Sequence, residues 1–122
     1  MNTLIGSVLV SVAMLGSTMT AFAADRATRA EAEAMVKREP ANLTAQNFLG
    51  SVKGATGDIA GARAAYMQVL AKDATFTPSA LNLVRLDIGE KRLDVARRRL
   101  DGLLAKRHDD PDVLFEYGML EQ

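Results

Sequence analysis

The segment Leu49-Gly50-Ser51-Val52-Lys53-Gly54-Ala55-Thr56-Gly57-Asp58-Ile59-Ala60-Gly61-Ala62-Arg63-Ala64-Ala65-Tyr66-Met67-Gln68-Val69-Leu70 decides the fold. Its second half places Ile59, Ala62, Tyr66, Val69 and Leu70 at steps of three and four, the spacing of one helix face. Its first half closes a helix that runs from Leu43 to about Gly54, with Leu43, Leu49, Gly50 and Val52 toward one side. Between the two, Gly54-Ala55-Thr56-Gly57-Asp58 spells a turn. Gly57 tolerates a positive φ, and the Asp58 carboxylate is suited to cap the helix that follows. Helices joined by so short a turn pack antiparallel.

The pattern returns with a period of about 34 residues, the length of one helix pair. Leu49-Gly50 falls on Leu83-Val84 and then on Tyr117-Gly118. Ala62 falls on Ala96, Arg63 on Arg97, Tyr66 on Leu100, Val69 on Leu103 and Leu70 on Leu104. Pro78 opens a second pair near its first turn, with Ala80, Leu83, Val84 and Asp87 on successive turns. Gly89-Glu90-Lys91 makes the turn, and Leu93, Ala96, Leu100, Leu103 and Leu104 form the next apolar stripe. Pro111 opens one more helix, through Leu114, Tyr117 and Gly118. Gly50, Gly118, Ala62 and Ala96 are read as points of close helix approach, with Tyr66 filling the space beyond. One such pair has too little core of its own, so stability comes from stacking neighbours.

These residues resemble the tetratricopeptide repeat family. Its pattern is matched by Gln46, Leu49, Gly50, Ala62, Tyr66 and Val69, and Pro40 fits the late proline of a preceding unit. Gln46 stands where the family has Trp, Lys53 replaces an aromatic, and Ala74 and His108 occupy late proline positions. The resemblance runs from about Arg26 to Gln122. It implies an all-α fold in which antiparallel helix hairpins stack into a right-handed superhelix, an α-solenoid. The units expected are about 25–42, 43–76, 77–110 and an incomplete 111–122. A narrower likeness, to tetratricopeptide proteins of bacterial PEP-CTERM/exosortase exopolysaccharide loci, lies in Asn82-Leu83-Val84-Arg85-Leu86-Asp87 and Gly57-Asp58-Ile59-Ala60-Gly61-Ala62-Arg63. The lipobox Cys and the many repeats common in those proteins are missing here.

The family implies a protein-binding scaffold, which takes an extended or helical partner segment in the concave groove lined by the first helix of each pair. By register the groove positions are Thr44, Asn47, Ser51, Arg85 and Ile88. Asn47 is suited to bonding a peptide backbone and Arg85 to pairing with a carboxylate; the Lys- and Asn-rich carboxylate clamp of chaperone-binding arrays is not there. The alternative is a structural module, or a piece of a longer array, that self-associates through the last helix. Its expected contacts are Val113, Leu114, Phe115, Tyr117 and Leu120.

Outside the repeats, Met1 to Ala24 carries no Asp, Glu, Lys or Arg, whereas all thirty charges lie between Asp25 and Gln122. Random placement would leave such a blank with a chance of roughly 0.1%. An apolar core from Leu4 to Leu15 and the small-x-small tripeptide Ala21-Phe22-Ala23 fit a cleaved export signal over 1–23, although Met1-Asn2-Thr3 lacks the usual basic residue. Two other readings stay open: an uncleaved anchor, or the first helix of a further repeat. The repeat reading places Leu15-Gly16 on Leu49-Gly50, and Thr28, Ala32 and Met35 on Ala62, Tyr66 and Val69. The uncharged composition favours cleavage, which predicts a periplasmic or secreted protein; a repeat helix would place it in the cytoplasm.

The chemistry-bearing residues are few. Fifteen basic and fifteen acidic residues cancel, so no overall field recruits nucleic acid or an anionic membrane. The chain has no Cys and a single His, which leaves no thiolate site and no Ser-His pair with a second base. His108 beside Asp109, Asp110 and Asp112 reads as an exposed loop before Pro111 rather than a metal site. Gly50-Ser51-Val52-Lys53-Gly54 lacks the Gly-Lys-Ser/Thr ending of a phosphate loop. The basic run Arg97-Arg98-Arg99, with Lys91, Arg92, Lys106 and Arg107, reads first as a solvated helix face and second as a site for an acidic partner, phosphate or polysaccharide carboxylates. The sequence therefore predicts no catalytic residues, metal or cofactor. It predicts a protein or peptide partner, no nucleic acid, membrane contact only through an uncleaved N-terminus, and room for homo-oligomers.

Overall fold

The structure is a computed structural model that describes residues 26–122. The expected signal over 1–23 and the Leu15-Gly16 register lie outside the described residues. Six helices account for the architecture, and no strand occurs among the described residues. They are α1 (26–38), α2 (Leu43–Ala55), α3 (Ile59–Lys72), α4 (Thr77–Gly89), α5 (Leu93–Lys106) and α6 (Pro111–Leu120).

Local chemistry sets the boundaries. The Asn42 side chain accepts from the Ala45 N–H at 3.1 Å and starts α2. Asp58 accepts from the Gly61 N–H at 2.9 Å and starts α3. Asp110 accepts from the N–H groups of Asp112 and Val113 and starts α6, with Pro111 in its first turn. Each satisfies an otherwise orphaned helix N–H. At the end of α2, Gly57 takes φ +90° and the Asp58 N–H returns to the Lys53 carbonyl at 2.9 Å. That six-to-one bond with a left-handed residue is the Schellman stop. The same stop ends α4, where the Arg92 N–H reaches the Asp87 carbonyl at 2.7 Å, but its left-handed residue is Lys91, at φ 60°. Lys91 lies one repeat after Gly57, so the geometry of the turn recurs while its residue type does not.

Consecutive helices pack from α2 to α6, and α2 touches α4 as α4 touches α6, so the first helices of successive pairs form one face. This is the all-α tetratricopeptide-like solenoid that the family resemblance implies. Ala32 of α1 packs on Leu49 and Val52 of α2. Ala62 and Tyr66 of α3 pack with Leu83 of α4. Leu81, Val84, Ala96, Leu100 and Val113 join α4, α5 and α6. Full burial of Leu83, Leu100, Val69, Val84 and Val113 stabilises the stack by about 1.5–3 kcal/mol per side chain.

The two complete pairs solve close approach differently. A Cβ on Gly50 would lie 2.5 Å from Tyr66 Cε1, so glycine is needed for the ring to sit against α2. At the equivalent places α4 and α5 carry Val84 and Leu100, both buried, exchanging glycine and a ring for two aliphatic side chains of intermediate size. Gly118 differs from the expectation: nothing lies within 4 Å of a Cβ there, because no helix of the described residues packs on that side of α6.

Candidate functional site

The face built from α2, α4 and α6 is crossed by a chain of polar contacts. Asn47 Oδ1 accepts from Ser79 Oγ at 2.8 Å and from Asn82 Nδ2 at 3.1 Å. Asn82 Oδ1 in turn accepts from Arg85 Nη1 at 3.1 Å. Arg85 ends the series on Glu116 Oε1, through Nε at 2.6 Å and Nη2 at 2.5 Å. Ser51 Oγ donates to the Asn47 carbonyl and accepts from the Tyr66 hydroxyl, each at 3.2 Å. Ser79 and Glu116 are buried, so these partners satisfy groups that would otherwise be costly inside the stack.

This places the five expected groove residues. Thr44 and Ser51 are exposed on α2. Asn47 and Arg85 lie on the face but are already engaged in the polar chain, Asn47 to α4 and Arg85 to α6. Ile88 packs instead against the cluster around Val84 and Leu100, since its turn of α4 faces the neighbouring helices. Two residues not expected from the sequence are exposed as well: Phe48 on α2, one repeat before Asn82, and Met119 on α6, one repeat after Arg85. A large apolar residue in a column that is polar in another repeat was the signal available for both.

An open cleft of about 450 Å3 lies on the same face between α4 and the start of α6. Leu81 and Pro78 form its apolar part; Arg85, Arg107, Asp110 and Asp112 supply charge of both signs. Arg107 lies 3.7 Å from Asp110, a loose pair at the rim. Among the described residues no group of three or more His, Cys, Asp or Glu is arranged to hold a metal ion. Asp110 of the His108 cluster acts as the α6 cap.

The helix layers are locked by a second polar feature. Asp87 is fully buried between Arg63 of α3, at 2.7 Å from Oδ1, and Arg99 of α5, at 3.0 Å from Oδ2. The Arg63 contact is an ion pair whose angle falls outside that of a hydrogen bond. The arrangement recurs one repeat later, where Arg97 reaches Glu121 at 2.6 Å. Four members of the expected basic run, Arg92, Arg97, Arg99 and Arg107, thus pair with acidic side chains of the same molecule. Arg97 also lies over the Tyr117 ring, 5.8 Å from its centroid, and its ionisation is pushed up chiefly by the bond to Glu121. The Tyr117 hydroxyl donates to Asp101 at 2.7 Å, and that bond to a carboxylate holds the phenol above its usual value.

Of the five residues expected on a self-association surface, Val113 is fully buried against α4 and α5 and is removed from it. Tyr117 and Leu120 are half-buried against the same cluster. Leu114 and Phe115 stay exposed, at 48% and 65%.

The fold defines a helical-repeat protein of the solenoid class, in which the first helices share one face. Within that class, the family model of the tetratricopeptide repeat matches residues 55–114, from the end of α2 to the first turns of α6, and supports the tetratricopeptide family. Repeats of this family mediate protein–protein interaction and are typically non-catalytic scaffolds. No curated protein and no solved structure matches the chain.

Proposed function

We propose that the chain is an exported binding scaffold that holds a segment of a partner protein against α2, α4 and α6. The observation that carries this reading is the α4–α6 cleft, lined by Asn82 and Arg85, whose register equivalents in α2 and α6 are the exposed Phe48 and Met119. A partner segment lying across it meets apolar anchors at Phe48 and Met119 and mixed charge at Arg107, Asp110 and Asp112. Asn47 and Arg85 contribute by holding the first helices in place. Export is supported by the uncharged residues 1–24 and by Ala21-Phe22-Ala23. A place in envelope or exopolysaccharide assembly extends this reading, on the strength of the Asn82–Asp87 and Gly57–Arg63 phrases.

A photo-crosslinking amino acid placed at Thr77, and in parallel at the exposed outer residue Ala64, tests the binding face in the native host. The reading expects one discrete adduct from position 77 and none from position 64. Equal labelling at both, or none at 77, overturns it. Mass determination of the native N-terminus tests export: a start at Ala24 supports it, and an intact Met1 in the soluble cytosolic fraction excludes it.

A further inference from the structure

Two successive junctions in the stack, of α1 with α2 and α3 and of α3 with α4 and α5, differ at equivalent positions. At the first, Gln46 of α2 donates to Gln68 of α3 at 2.6 Å, and Lys72 Nζ donates to the Pro40 carbonyl at 2.9 Å. One repeat later Ala80 stands for Gln46 and Gly102 for Gln68. Both glutamine side chains are missing there, and an open cleft of about 250 Å3 lies between α3 and α5. Leu70, Ala80 and Leu103 give it an apolar lining, and a Cβ on Gly102 would meet nothing within 4 Å.

Positive charge enters at the same junction. Arg98 and Arg99, on the rim of the cleft, stand where α3 has Ala64 and Ala65. Asp87 holds Arg99, but Arg98 bonds only the Asp94 carbonyl of its own helix, at 3.4 Å. Lys106, the equivalent of Lys72, meets no acceptor among the described residues. Asp73, beside the lining residue Ala74, accepts instead from the N–H and hydroxyl of Thr75, at 2.9 and 2.6 Å. Arg98 and Lys106 lie one helical turn to either side of Gly102, about 12 Å apart along the axis.

We propose that this cleft binds an extended acidic segment of a partner protein, in which an aliphatic residue has Asp or Glu two positions away on each side. Alternate side chains of an extended chain point the same way, and the two acids then stand about 13 Å apart, matching the span from Arg98 to Lys106. The aliphatic side chain fills the space over Gly102, and the carboxylates take the two cations. The cleft is smaller than the about 300–1,000 Å3 of small-molecule sites. A bare phosphate would leave its apolar lining uncovered, and no aromatic side chain lines it to stack on a sugar. Its walls share no residue with the α4–α6 cleft, so this binding is separate from the function proposed above.

The probe is the acetylated and amidated peptide Glu-Ser-Leu-Ser-Glu, titrated into the isotope-labelled full chain and followed by amide chemical shifts. Saturable shifts around residues 70–74 and 98–106 are expected. Arg98→Glu with Lys106→Glu weakens binding at least tenfold (about 1.4 kcal/mol), and a peptide with Lys in place of both Glu binds that variant. Gly102→Gln returns the glutamine of the earlier junction and is a better helix former than glycine, so it keeps the fold and abolishes binding. No saturable response, or shifts that survive Gly102→Gln, overturn the proposal. So does an equal response to inorganic phosphate or to an oligouronate, which assigns the cleft to a simple anion or a polysaccharide.

Discussion

Lys91 shows how much a single residue costs in a repeated turn. A left-handed conformation costs a residue with a Cβ about 1–2 kcal/mol, and glycine's larger freedom in the unfolded chain takes back up to about 1 kcal/mol. Lys91→Gly is therefore expected to stabilise the protein by up to about 1 kcal/mol, read as a higher denaturation midpoint with unchanged slope. Arg92 stands where Asp58 caps α3, and α5 begins with no side-chain cap. Arg92→Asp is expected to add about 1 kcal/mol, less the exposed contact of Arg92 with Glu90 at 3.2 Å. If both substitutions leave the midpoint where it was, the turn-and-cap account of the α4–α5 junction is wrong.

At the scale of elements, the contact between paired helices is a matter of shared volume. Gly50→Ala pushes a methyl into the Tyr66 ring and should destabilise by about 1–3 kcal/mol. Adding Tyr66→Leu, which moves this pair toward the Val84–Leu100 solution, should recover much of that loss. A double-mutant cycle in urea measures the coupling; strict additivity would mean that ring and glycine do not meet. Asp87 joins three helices. Asp87→Asn leaves two arginines facing a neutral group and should cost about 3 kcal/mol, the low end for a broken buried pair because both arginines reach solvent. Circular-dichroism melts would show the effect; a loss below that of an ordinary surface substitution would contradict it. The boundaries of these helices were legible from Gly57, Asp58, Pro78 and Pro111, because caps and turns act over a few residues. The positive φ at Lys91 was not, since nothing in a lysine announces it.

At the scale of the whole molecule, burial among the described helices is greatest in α4 and small in α6. Helix α4 contacts α2, α3, α5 and α6 and buries Ser79, Ala80, Leu81, Leu83, Val84 and Asp87, whereas α6 buries only Val113 and Glu116. In a stack whose units are stabilised by their neighbours, opening starts at the ends. Native-state hydrogen exchange should therefore find the slowest amides in α4 and fast, sub-global exchange in α6. Equal protection along the array would show a single cooperative unit instead. By itself the sequence determined the helices, their pairing and the repeating stack, because apolar periodicity, caps and turn residues are local signals that recur in register. Only the tertiary structure decided that Asn47 and Arg85 are engaged between helices, that Ile88 and Val113 face inward, and that Phe48 and Met119 face out. Those outcomes depend on contacts between residues a whole helix pair apart, where one side chain's partner is fixed by how the helices stack and not by its own neighbours in sequence.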